Sequence, residues 1–162
     1  MRKESPIARD GMVRALWAAA VLSLCVAVPA WASLGGDTTT VHADQLHMQG
    51  TLHTTTANGY TVQEIQNSSG LVVREYVSPT GKVFGVAWQG PWPPDMRQLL
   101  GNYFDQYTQA AQAQASARPG RRPVMINQPG LVVQIGGHPR AFVGRAYLPD
   151  QLPSGVRAEA IR

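Results

Sequence analysis

A single cysteine, Cys25, is all that this 162-residue chain carries, and it lies in an apolar stretch near the N-terminus. A disulfide framework, the usual support of small exported domains, is therefore excluded. Zinc sites built on cysteine are excluded as well. The four histidines, His42, His47, His53 and His138, are scattered. On a helix, His42 and His47 would face different sides, because five residues turn the chain by about 140°. Metal ligands must converge, so no metal or other cofactor is expected. A membrane-spanning helix is also missing, since it needs about 20 apolar residues. The longest candidate, residues 15–28, is broken only by Ser23 but ends at Pro29.

What that short run suits is export. Arg2, Lys3, Arg9 and Arg14 precede or enter it against Glu4 and Asp10, and Ala30-Trp31-Ala32 supplies a small-x-small site before Ser33. Residues 1–32 are thus expected to be a cleavable secretory signal peptide. Translation from Met12 would leave the same mature protein. Leu24 before Cys25 does not suit a lipid-anchoring site, so a soluble periplasmic or secreted product is expected. Cleavage would leave 130 residues, a single domain 33–162. With 10 basic and 8 acidic side chains there, nothing argues for nucleic acid, and no transmembrane segment would remain.

The mature part reads as strands with one long helix. Gly35-Gly36 and a capping Asp37 or Thr38 precede a short helix over residues 41–48. Residues 51–57 and 60–66, rich in Thr, Val and Ile, flank Asn58-Gly59, which favours a type I′ hairpin. Paired numbers then sum to 117, setting Leu52 against Ile65, Thr55 against Val62, and His53 against Glu64 as an ion pair. A four-residue loop, Asn67-Ser-Ser-Gly70, placing Ile65 against Val72, avoids setting Glu64 against Glu75. Ser78-Pro-Thr-Gly81 suits a type I turn before residues 82–88. Strand alternation sends Phe84, Val86 and Trp88 to one face, and Val83, Gly85 and Ala87 to the other. That second face is smooth enough for close approach of another element or for exposure.

Gly90-Pro-Trp-Pro-Pro-Asp95 cannot continue a strand. It leads into an amphipathic helix marked by Met96, Leu99, Leu100, Tyr103, Tyr107 and Ala110, with Gly101 inside it. An alanine- and glutamine-rich end grades into a basic loop carrying Arg118, Arg121 and Arg122. A hairpin about Gln128-Pro-Gly130 and a last strand over residues 140–148 follow, and the tail from Pro149 carries little signal. The fold class expected is α+β, an antiparallel meander of five to seven strands packed with one long amphipathic helix.

Val73-Arg-Glu-Tyr-Val-Ser-Pro-Thr-Gly-Lys-Val-Phe84, Val86-Ala-Trp-Gln-Gly-Pro91, Pro94-Asp95 and Leu99-Leu-Gly-Asn-Tyr-Phe104 resemble an exported bacterial family labelled domain of unknown function 2844. Gly136-Gly-His-Pro-Arg-Ala-Phe142 and Gly144-Arg-Ala-Tyr-Leu-Pro149 fit it too. The resemblance spans nearly all of the mature chain. It implies export and a single domain, and it brings no activity, substrate or functional residue.

The candidate sites come from the residues alone. Trp88, Trp92, Tyr103 and Tyr107 lie close along the chain around a rigid proline loop, and aromatics with few polar groups build either a core or a pocket. Trp92, between two prolines, is the one that core packing explains least. Glu75 shares strand parity with Leu71, Val73 and Val77, so it must be paired, near an edge or protonated, and Arg145 is the partner expected. Arg118, Arg121 and Arg122 could touch anionic envelope material. No nucleophile elbow is present. The expected function is a non-enzymatic binding or assembly module whose partner is unknown, an envelope protein or small ligand. The alternative is a small hydrolase-like envelope enzyme.

Overall fold

Local chemistry starts and stops each element of the computed structural model, which describes residues 34–117, 120 and 123–162. The proposed leader and Arg118, Arg121 and Arg122 lie outside the described residues. Asp37 caps α1 (Thr38–Met48) by accepting the Thr39 N–H at 3.0 Å, which occupies one of the donors left free at a helix start. Helix α1 ends where Gln49 turns left-handed, with φ +49°. Asp95 caps α2 (Met96–Leu100) in the same way, through Arg97 and Gln98.

The long helix is interrupted. Gly101, with φ +49° and ψ −120°, opens a 3₁₀ turn (Gly101–Tyr103) between α2 and α3 (Phe104–Ala117). The apolar stripe nevertheless runs through the break, because Met96, Tyr103, Phe104, Tyr107 and Ala110 all pack on one core.

Seven strands, β1 (Thr51–Ala57), β2 (Tyr60–Gln66), β3 (Val72–Val77), β4 (Val83–Gly90), β5 (Val124–Gln128), β6 (Leu131–His138) and β7 (Ala141–Tyr147), form one sheet. Every pairing is antiparallel, in the order β1-β2-β3-β4-β7-β6-β5. It is two meanders rather than one: β7 returns beside β4, and the helices between β4 and β5 carry the chain to the far edge.

The first hairpin has the expected register, with Leu52 on Ile65, His53 on Glu64 and Thr55 on Val62. Its turn differs from type I′. Only Gly59 has a positive φ, +85°, as at the third position of a type II turn. The next connection is one residue longer than expected. Asn67 Oδ1 accepts from Ser69 N–H and Leu71 N–H, both at 3.0 Å, and Ile65 faces Val73. This register sets Glu64 opposite Arg74, so an attractive pair replaces the repulsive one that shorter pairing would create.

Alternation along β4 also breaks. A register shift at Tyr76/Val77 lets Val83 join the inner face with Val86 and Trp88, while Phe84 turns outward with Ala87. A bulge of this kind adds a residue and reverses parity. Around β4 both faces are therefore apolar and covered. The helices lie on the inner face over Ile65, Val73, Val86, Trp88 and Val133. The tail beyond β7 crosses the outer face, where Leu152, Val156 and Ile161 pack on Tyr76, Phe84 and Ala87. Gly85 allows this approach, since a Cβ there would stand 2.7 Å from Ile161 Cδ1.

Candidate functional site

Inside the sheet, the side chains that carry unusual chemistry are carboxyls. Val41, Asp44 and Met48 lie along one stripe of α1 that packs on the inner core, with Asp44 beside Glu75 of β3. Asp44 is 2% exposed, Glu75 1% and Gln98 5%. The Gln98 amide donates to Asp44 Oδ1. Apart from one another, the other Asp44 oxygen and both Glu75 oxygens have no partner among the described residues, an arrangement that two ionised carboxylates could not sustain.

Burial pushes Asp44 up to about 6, against pulls from the Gln98 amide, the Glu75 carboxyl and His47 one turn along α1. Burial drives Glu75 further above its usual range, and the Asp44 charge adds to it. Glu75 thus keeps its proton and donates it to Asp44, a carboxyl-carboxylate pair.

Arg145 is not the partner of Glu75. Glu75 faces Val86 and the inner core, whereas Arg145 stands across from Ala87 on the outer face. There its guanidinium donates to Gln134 Oε1 at 2.8 Å and to the carbonyls of Ala158 and Ile161 at 2.9 and 3.1 Å. It fastens the tail. Glu64 likewise spends its charge on Arg74, at 2.7 Å, rather than on His53 opposite it.

The four aromatics divide between core and solvent. Trp88 is 1% exposed, packed under Gly144, with no acceptor for its indole N–H among the described residues. Tyr103 and Tyr107 are half-buried against the same core, and burial raises the Tyr107 phenol. Trp92 alone is open, 61% exposed, and no ring contact joins it to Trp88 among the described residues.

The concave surface lies on the outer face. Cross-strand pairing places His53, Glu64, Arg74, Ala87, Arg145, Gln134 and Met125 in one row across all seven strands. Beside the tail this face opens into a trough of about 1350 Å³. Arg74, Arg145, Arg157 and Arg162 line it against Glu64 and Glu159, so its charge is positive. Met125 and Val143, 59% and 52% exposed, give it an apolar flank. No histidine, serine or cysteine lines it among the described residues.

Sequence reasoning placed Glu64 and Arg145 on strands but missed Asp44, Gln98 and the tail. For Asp44 a signal existed, its i+3 spacing from Val41. For the tail none did, because its covering residues, Leu152, Val156 and Ile161, follow neither strand nor helix period.

Residues 30–161 match the family described as proteins of unknown function, DUF2844. No curated protein and no solved structure matches.

Proposed function

The chain belongs to the DUF2844 family of proteins of unknown function, and from that footing we propose that it is an exported, non-enzymatic binding module. Its outer trough holds a polar or anionic segment of an envelope partner. The observation that carries this reading is the trough itself. Two guanidiniums, from Arg74 and Arg145, flank Ala87 two strand spacings apart, about 10 Å, and solvent-facing Arg157 stands on the rim. Arg74 and Arg145 already serve Glu64, Gln134 and the tail, so Arg157 and the N–H groups those two leave over offer charge-assisted hydrogen bonds to carboxylates or phosphates, with Met125 and Val143 for apolar contact. The basic start, the apolar run and Ala30-Trp31-Ala32 support export.

The test is native mass spectrometry of the protein released gently from its own cells, beside Arg157→Glu. The expected result is a mature N-terminus at Ser33 and a bound mass that the variant loses. A chain retaining residues 1–32, or a bound mass indifferent to Arg157→Glu, would overturn the corresponding half of the reading.

A further inference from the structure

The two edges of the sheet are finished differently. In a two-residue hairpin the pair flanking the turn exchanges hydrogen bonds, and this alternates along the strands. On β5, Met125 therefore points its N–H outward. That N–H meets Gln114 Oε1 of α3 at 3.2 Å, while Gln114 Nε2 donates to the Pro123 carbonyl at 3.2 Å. The Gln114 amide stands in for the next strand at two backbone groups of that edge, where α3 packs against β5.

On β1, the residues bonded to β2 are Thr51, His53, Thr55 and Ala57, so Leu52, Thr54 and Thr56 turn their N–H and C=O groups away from the sheet. No hydrogen bond reaches these six groups among the described residues. Apart from Leu52 and Ala57, the strand is exposed. Edge strands are usually guarded by lysine, proline or a bulge. Thr51–Ala57 has none of these.

We propose that β1 is the docking surface for a second copy of this chain, joined antiparallel about a two-fold axis at Thr54. In that register, Thr54 faces Thr54 of the other copy and Leu52 faces Thr56, so all six free backbone groups on each strand are paired. His53 meets Thr55, and no like charges oppose one another. Thr–Thr and apolar–Thr pairs suit a sheet. An isologous contact closes on itself, so pairing through β1 stops at two. A single strand pair buries less than the ~1,200 Å² of a tight interface, so the dimer forms in the micromolar range.

The test is sedimentation equilibrium of the protein, as its own cells process it, over a micromolar concentration series. Thr54→Lys, a change at an exposed site, is run beside it. Wild type should dimerise, and the variant, with two ammonium groups face to face, should weaken dimerisation by about tenfold or more while melting at the same temperature. Amide exchange gives an independent readout that needs no variant. Leu52, Thr54 and Thr56 should become protected as concentration rises, while Thr51, His53, Thr55 and Ala57 are protected throughout. A wild type that stays monomeric, a dimer that Thr54→Lys leaves intact, or protection at those three amides that ignores concentration would each overturn the proposal.

Discussion

Replacing Glu75 by glutamine keeps its shape and its donated hydrogen bond but removes its proton from the titration. In the fold, Glu75 is buried beside Asp44 and holds its proton well above the ordinary value of 4.5. In the unfolded chain it ionises near that value. Between those two values unfolding therefore releases a proton, and stability falls as pH rises. The contribution is complete below the unfolded pKa and is lost as pH climbs through the folded one.

One such proton is worth about 1.4 kcal/mol per pH unit. Over the pH range in which the folded Glu75 keeps its proton and the unfolded one has lost it, Glu75→Gln should gain on wild type by up to that slope, about 1.4 kcal/mol per pH unit. Asp44, held up to about 6, adds a slope of the same sign that ends near that pH in both proteins. Chemical denaturation of both across pH 4.5 to 8 measures the difference. Parallel profiles would refute the assignment of the proton to Glu75.

Two further substitutions test packing. Gly144→Ala would set a Cβ 2.3 Å from Trp88 Cζ2. The ring is buried and cannot yield, so a loss of about 1–3 kcal/mol is expected in urea denaturation, and a neutral result would contradict the Trp88 placement. Ile161→Ala empties a fully buried site over Gly85 and should cost about 2–5 kcal/mol. It should also speed tryptic cleavage after Arg157, and unchanged cleavage would show that the hydrogen bonds from Arg145 and Tyr76 hold the tail without Ile161.

The site was partly legible. Glu75 on an apolar strand face announced a buried carboxyl, because strand parity alone put it among Leu71, Val73 and Val77. Its partner was not legible, since Asp44 sits 31 residues upstream on a different element and a shared proton leaves no charge complement to search for. Parity likewise could not tell which face of the sheet Arg145 occupied relative to Glu75. That depended on pairing β4 with β7, which joins two meanders distant in the chain.

The sequence by itself determined what rests on neighbours. This covers the hairpin register about Asn58-Gly59, a helix start at Asp37 or Thr38, the Pro-Gly turn at Pro129-Gly130, the α+β class and the family. Each is set by backbone preferences acting over a few residues, which composition and spacing record directly. Only the tertiary structure decided the rest. The bulge that turned Phe84 outward, the one-residue shift that joined Glu64 to Arg74, the tail laid over Gly85, and the Gln114 cap on one edge all depend on contacts between segments far apart in the chain. Such contacts are chosen by packing and by pairing of buried polar groups, and no local pattern encodes them.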